Sequence, residues 1–129
     1  MSAGRGRVAD ILIIEDSPTD AHAYGGYLRS HGHSVRTAVT GEEGLAMARD
    51  LRPDVVLMDI VMPGLNGFET TRALRRDAAT AGVPVIMLST KDQETDRIWG
   101  LRQGAIDYLV KPVSRQALLR SVESALTGA

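Results

Sequence analysis

The chain has 129 residues, 43% of them hydrophobic and 24% charged, and a formal net charge of −1. This length is typical of one domain with its own core, and the nearly neutral charge argues against general attraction to nucleic acid. Because the chain contains no cysteine, disulfides, thiolate metal sites and thiol catalysis are excluded.

The sequence shows no sign of membrane insertion or secretion. No apolar run approaches the roughly 20 residues that a membrane helix needs. The first residues, MSAGRGRVAD, lack the apolar core of a secretory signal. We therefore expect a cytoplasmic globular domain.

Strand-like and helix-like segments alternate along the chain. Residues 1–7 are rich in Gly and Arg and are expected to form a flexible tail, which leaves one domain over 8–127. Short apolar runs predict strands over 8–14, 34–38, 55–58, 84–88 and 106–110. Helical patterns lie between them, beginning at Ser17-Pro18 and ending near Gly32, then over 41–51, 68 to about 79 and 94–103, and finally around Leu118, Val122, Ala125 and Leu126.

This alternation predicts an α/β fold. Apolar strands without polar alternation are typical of strands that are buried on both faces, as in a parallel sheet covered by helices on either side. Five strands and five helices make a doubly wound sheet, in which ligands bind beyond the carboxyl ends of the strands.

Polar residues stand where four of the five predicted strands end. Glu15 and Asp16 follow the first strand, Asp59 the third, Ser89 the fourth and Lys111 the fifth. Taken singly, each has an ordinary explanation as a loop residue, a helix cap or a surface amine. Taken together, clustered carboxylates raise one another's pKa unless a cation lies among them. Oxygen ligands select a hard cation, and Mg²⁺ commonly binds one or two carboxylates plus a phosphoryl oxygen.

These motifs resemble the receiver domains of bacterial two-component signalling, which are similar to the chemotaxis regulator CheY. The resemblance spans residues 8 to 127 and includes the acid pair, the DIVMPGLNG segment around Asp59, Ser89 and Lys111-Pro112. It implies a flavodoxin-like sheet with strand order 2-1-3-4-5.

The resemblance also implies roles for the acidic residues. Asp59 would accept a phosphoryl group from a histidine kinase, since carboxylates are known nucleophiles in phosphoryl transfer. Asp16, Asp59 and the backbone carbonyl of Val61 would bind Mg²⁺. Glu15 replaces a more usual Asp and would reach the metal through water. Lys111 would pair with Asp59 before transfer and with a phosphoryl oxygen afterwards.

The remaining implied roles concern switching. Ser89 would move to bond the phosphoryl group, and Tyr108 would turn inward as it does so. The Lys111-Pro112 bond would be cis. An effector protein would bind the face made by helix 4, strand 5 and helix 5.

Two longer segments suggest which receiver this is. DIVMPGLNGF and TKDQETDRIWGLRQGA resemble PilH-type single-domain regulators of the chemosensory systems that control type IV pili and twitching motility. The kinase would then be CheA-like. The chain stops soon after its last predicted helix, so a stand-alone regulator is expected unless this is a fragment of a longer one.

Other functional readings remain open at this stage. The protein could be a phosphate sink that drains a shared kinase without an effector. It could also be a phosphohydrolase with an Asp nucleophile, although Val61 stands where a second acid would be needed.

The sequence raises three further expectations. The apolar side chain of Val61 cannot orient water, and together with Thr90 and Lys91 it predicts a phosphoryl group that is not especially short-lived. His22, His31 and His33 are expected to be solvated. Trp99 is expected to pack against neighbouring apolar groups.

Overall fold

A computed structural model describes residues 8–128 of the chain. The predicted tail over 1–7 lies outside these residues. The strands are β1 Asp10–Ile14, β2 Ser34–Ala38, β3 Val55–Asp59, β4 Val85–Ser89 and β5 Asp107–Val110. The helices are α1 Pro18–Ser30, α2 Gly41–Leu51, α3 Gly67–Arg76, α4 Glu94–Gln103 and α5 Arg115–Thr127.

All five strands are parallel and lie in the order β2-β1-β3-β4-β5. The doubly wound α/β fold that the sequence predicted and the strand order that the family resemblance implied are therefore confirmed. β3 lies at the centre of the sheet, and every one of its residues is buried. This explains its uninterrupted apolar sequence, because both of its faces are covered.

Alternate residues of the strands form two separate cores, one on each face of the sheet. Ile13 and Leu57 belong to one core, which is covered by apolar residues of α1 and α5 such as Leu28 and Leu118. The other core contains Ile14, Met58 and Met87 and is covered mainly by α2 and α3. Burial on both faces fixes the register, because a slip of one residue would exchange the two faces.

Several helices begin with a side chain that caps the backbone. Ser17 Oγ accepts from the amide of Asp20 at 3.3 Å, and Pro18 occupies the first turn of α1, as predicted. Asn66 and Glu69 form a capping box at the start of α3, with distances of 2.9 and 3.0 Å. These caps fix the direction in which each helix leaves the edge of the sheet.

Several predicted boundaries differ from the structure by one to three residues, and at two of them side chains compete for backbone groups. β1 begins at Asp10 rather than at residue 8, since the amides of Ala9 and Asp10 donate to side-chain atoms of His33 and Asp54. α3 ends at Arg76 rather than near residue 79. Asp77 adopts an extended backbone there, and its carboxylate accepts from the amide of Ala79 at 2.9 Å.

The expectation that all three histidines are solvated is wrong for His33. Its side chain is only 6% exposed, and Nδ1 accepts from the amide of Ala9 at 3.1 Å. His22 is exposed and His31 is partly exposed. His33 therefore ties the start of β1 to the segment before β2.

Trp99 lies on α4 with 46% of its surface exposed, and the expectation that it packs against neighbouring apolar groups stays a prediction.

Among residues 8–128, no helix is both long and apolar enough to cross a membrane.

Candidate functional site

The parallel order of the strands brings the predicted site residues to one edge of the sheet. β3 pairs with β1 on one side and with β4 on the other, so Asp59 lies between the residues that follow β1 and Ser89 at the end of β4. Lys111 follows β5, and its amide donates to the carbonyl of Ser89 at 2.8 Å. Residues far apart in the sequence thus meet around one carboxylate.

Asp59 is the last residue of β3 and is 6% exposed. Burial, together with hydrogen bonding and charge from Glu15, raises the pKa of Asp59 to about 7, although the charge of Lys111 opposes this rise. A carboxylate in such a position is poorly solvated and surrounded by like charge. It therefore favours a cation or a positively charged donor close by.

Three carboxylates form a cluster that could bind a metal ion. Oxygen atoms of Glu15, Asp16 and Asp59 all lie within 4.8 Å of one another. Glu15 is buried, whereas Asp16 is exposed. A donor set of oxygen atoms alone, with one carboxylate whose pKa is raised, fits a hard cation such as Mg²⁺.

Within this cluster, Glu15 already has protein partners for both carboxylate oxygens. Oε1 accepts from Lys111 Nζ at 2.6 Å, and Oε2 accepts from the amide of Ser17 at 3.1 Å. Asp16 and Asp59 are therefore the carboxylates better placed to bind a metal directly. The expectation that Glu15 would reach the metal through water stays a prediction.

The ammonium of Lys111 contacts three carboxylates. Its Nζ lies 2.6 Å from Glu15 Oε1, 2.8 Å from Asp20 Oδ2 and 3.3 Å from Asp59 Oδ1. Burial by itself lowers the pKa of Lys111, but the hydrogen bonds to Asp20 and Glu15 and the charge of Asp59 outweigh it and raise the pKa. The ammonium therefore remains protonated beside Asp59. The peptide bond between Lys111 and Pro112 is cis.

Asp20 is a residue of this site that the sequence reasoning missed. The acid lies in the first turn of α1, where acids are common for local reasons. Its partner Lys111 lies 91 positions later in the chain, so no local pattern could reveal the pair. α1 packs beside α5, the helix that follows Lys111 in the chain, and this packing brings the two together.

Ser89 and Tyr108 are joined through the peptide groups of Lys91. Ser89 Oγ accepts from the Lys91 amide at 3.1 Å, and the Tyr108 hydroxyl donates to the Lys91 carbonyl at 2.7 Å. Both side chains are buried, and burial raises the pKa of Tyr108. Tyr108 is thus turned inward here, and a movement of Ser89 would disturb the same short segment that holds it.

Three residues in the loops that follow β3 and β4 are exposed. Val61 exposes 59% of its surface, and Thr90 and Lys91 are also exposed. The expectation that the phosphoryl group is not especially short-lived stays a prediction.

Several exposed apolar side chains lie on α4 and around β5. Nearly half of the surface of several large residues is open to solvent there, namely Ile98, Trp99, Leu101, Ile106 and Val110.

The fold and the acidic strand-end site together define a class of signalling protein. The response regulator receiver domain family matches residues 11–123, and this chain belongs to that family. The chain is 55% identical to Protein PilH of Pseudomonas aeruginosa over 121 residues, which cover 94% of this chain and 100% of PilH.

Two further comparisons place the chain among receivers of different length. It is 39% identical to the transcriptional regulatory protein AfsQ1 of Streptomyces coelicolor over 90% of this chain, but that match spans only 50% of AfsQ1. The chemotaxis protein CheY4 of Vibrio cholerae superimposes with a TM-score of 0.87 at 32% identity, over 93% of this chain and 100% of that one.

Proposed function

We propose that this protein is a stand-alone response regulator of a bacterial chemosensory phosphorelay that controls pilus motility. It accepts a phosphoryl group on Asp59 from a CheA-like histidine kinase in the cytoplasm and uses Mg²⁺ as cofactor. It then presents a changed α4-β5-α5 face to an effector protein. The observation that best supports this proposal is the position of Asp59, buried at the end of β3 among carboxylates and within 3.3 Å of Lys111.

The proposed reaction transfers a phosphoryl group from a histidine of the kinase to the carboxylate of Asp59. A carboxylate oxygen of Asp59 attacks the phosphorus atom, an O–P bond forms, and the bond from phosphorus to the imidazole nitrogen of the kinase breaks. Asp16, Asp59 and the carbonyl of Val61 would hold Mg²⁺, which supplies positive charge to the phosphoryl oxygens when it is bound. Lys111, which follows β5, adds a second positive charge 3.3 Å from Asp59 Oδ1.

The proposed switch follows from the contacts of Ser89. If its hydroxyl turns to donate to a phosphoryl oxygen, the Lys91 amide loses its present acceptor. The carbonyl of the same residue holds the Tyr108 hydroxyl. The change of charge at Asp59 would in this way be transmitted to α4 and β5, where several apolar side chains are exposed.

The assignment to a pilus system is supported by the relation to PilH, whose whole length this chain spans. The alternatives are a phosphate sink, which would accept the phosphoryl group without an effector, and a receiver fragment of a longer regulator. A pull-down with and without a phosphoryl mimic separates the effector-binding switch from the sink, because only the switch gains a partner on loading.

The test of the proposed acceptor is intact mass after incubation with Mg²⁺ and acetyl phosphate. We expect one phosphoryl adduct on the wild type and none on Asp59→Asn, because that substitution removes the nucleophilic oxygen. Omission of Mg²⁺ is expected to suppress the adduct. The unreactive variant must retain the wild-type circular dichroism spectrum for the comparison to be valid.

An adduct that persists in Asp59→Asn would contradict the assignment of the acceptor. Steady release of phosphate from a phosphate ester, with many turnovers per protein, would instead favour a phosphohydrolase.

A further inference from the structure

The contact between Asp20 and Lys111 has no place in the roles assigned so far. Asp20 Oδ2 lies 2.8 Å from Lys111 Nζ, which is closer than the 3.3 Å between that ammonium and Asp59. The Asp20 side chain is 36% exposed, whereas that of Lys111 is only 9% exposed. Asp20 is therefore the carboxylate that meets the ammonium from the solvent side.

The position of Asp20 in its helix would normally give its carboxylate a local partner. It is the third residue of α1, and an acid at this position commonly accepts from the amide of the N-cap residue. Here the amide of the N-cap residue Ser17 donates instead to Glu15 Oε2 at 3.1 Å. Because Glu15 takes this local role, the carboxylate of Asp20 points across to Lys111.

We propose that Asp20 is a positioning residue that keeps the Lys111 ammonium at Asp59 while its other partners change. This inference rests on the proposed function. An ammonium has three N–H donors, and here they face Glu15, Asp20 and Asp59. Phosphorylation converts Asp59 into an acyl phosphate, and Glu15 belongs to the cluster that would bind the metal. Asp20 lies outside that cluster and can retain its contact throughout.

A long side chain needs such an anchor. Fixing the rotatable bonds of a lysine side chain has a considerable entropic cost, and a hydrogen bond between charged groups offsets it. The capped and Pro-initiated first turn of α1 holds Asp20 in place. Lys111 can then turn from the carboxylate of Asp59 to a phosphoryl oxygen without leaving the site.

The first test compares initial rates of phosphorylation by acetyl phosphate. We expect Asp20→Asn to slow the reaction about three- to tenfold, which is the effect of one partly exposed charged hydrogen bond. Asp20→Glu is expected to recover most of the rate. The control is Asp50→Asn, which removes the same charge from the exposed end of α2, at the opposite edge of the sheet, and is expected to leave the rate unchanged.

The direction in which Asp20→Asn changes the phosphorylation rate distinguishes a positioning role of Asp20 from a purely electrostatic one. Asp20→Asn removes a negative charge close to the point where an anionic donor must approach, so electrostatics alone would speed the reaction. A slower reaction therefore reports the loss of positioning. An unchanged or faster reaction would overturn the proposal.

The second test does not depend on phosphorylation. The chain has two lysines, Lys91 and Lys111, so ¹⁵N spectra of the side-chain ammonium groups are simple to assign. We expect the bonded Lys111 ammonium to exchange its protons slowly and to give a signal in the metal-free wild type. The signal should be lost in Asp20→Asn and present in Asp20→Glu, while exposed Lys91 serves as the internal reference.

The two tests also distinguish this inference from the proposed function. No adduct on the wild type would count against the proposed function, and the ammonium signal would still report the contact. A normal wild-type adduct with an intact ammonium signal in Asp20→Asn would refute the positioning role alone. A lower melting temperature of Asp20→Asn without a change in rate or signal would also refute it, because that is the result expected of a purely structural residue.

Discussion

His33 shows how one buried side chain can make the stability of this fold depend on pH. Its Nδ1 accepts the Ala9 amide, which a protonated imidazole cannot do. Burial, followed by the charge of neighbouring His31, lowers the pKa of His33, while Glu123 opposes this change. The folded state therefore binds this proton less readily than the unfolded state.

We expect the contribution of His33 to the free energy of unfolding to be constant above about pH 7 and to decrease as the pH falls through about 6.5, the ordinary pKa of histidine. The loss should be about 1 kcal/mol, the usual value of one hydrogen bond. Urea denaturation of the wild type and of His33→Gln at a series of pH values measures it as a change, with pH, in the difference between the two free energies of unfolding. His22→Gln, an exposed control, should differ from the wild type by a constant amount. An identical slope in all three proteins would contradict the role of His33.

The sequence indicated the residues at the strand ends but not all of their contacts. Asp59, Ser89 and Lys111 could be found because parallel strands end at one edge of the sheet. Asp20 and His33 could not, since each has a partner more than 20 positions away that only tertiary packing brings near. Local patterns for these two residues were those of an ordinary helix start and a surface loop.

At the level of elements, the start of α3 packs directly on the end of β3. The Gly67 amide donates to the Ile60 carbonyl at 2.8 Å. A Cβ atom at Gly67 would lie 2.7 Å from Ile60 Cα and would collide with the Asp59 carbonyl oxygen. This explains the glycine after Asn66 in the sequence, because a larger residue at position 67 would push α3 away from the Ile60 carbonyl that accepts its hydrogen bond.

We therefore expect Gly67→Ala to lower the free energy of unfolding by about 1–3 kcal/mol and to slow phosphorylation by moving the Asp59 backbone. Gly26→Ala is the matched control. Gly26 lies on the exposed side of α1 with nothing within 4 Å of an added Cβ, so the substitution should stabilise the protein by about 0.5–1 kcal/mol. Denaturant titration measures the free energy of unfolding of both variants. Equal effects of the two substitutions would contradict the close approach of Gly67 to the end of β3.

The types and order of the elements were predictable, but some of their ends were not. Apolar runs such as that of β3 identify buried strands, because a strand covered on both faces of the sheet has no solvent-exposed positions for polar residues to alternate with apolar ones. The ends of β1 and α3 depend on whether a nearby His or Asp side chain captures a backbone amide. That competition depends on geometry that the local sequence does not contain.

At the level of the whole molecule, the burial of Asp59 in the acid cluster makes the stability of the fold depend on pH. Asp59 has its pKa raised from 3.8 to about 7 in the folded state. A raised acid pKa means that the folded state holds the proton more tightly, so its stability decreases as the pH rises from about 4 to about 7. Above this range the ionised carboxylate destabilises the metal-free fold.

We expect Asp59→Asn at pH 8 without Mg²⁺ to raise the free energy of unfolding on the order of 2 kcal/mol. Addition of Mg²⁺ should stabilise the wild type by about 1.4 kcal/mol at ten times its dissociation constant, and should stabilise the variant much less. Chemical denaturation with and without Mg²⁺ gives both values. Equal stabilisation of the two proteins would show that the ion binds elsewhere.

The long sequence separations within the site have a consequence for signalling. Lys111 meets Glu15 across 96 positions and Asp59 across 52, so the site is complete only when β5 has paired with β4 at the far side of the sheet. Under the proposed function, a chain still emerging from the ribosome, or one clipped by a protease, would be silent as an acceptor. Only intact, fully folded molecules would then be phosphorylated, and damaged copies would not consume phosphoryl groups of the kinase.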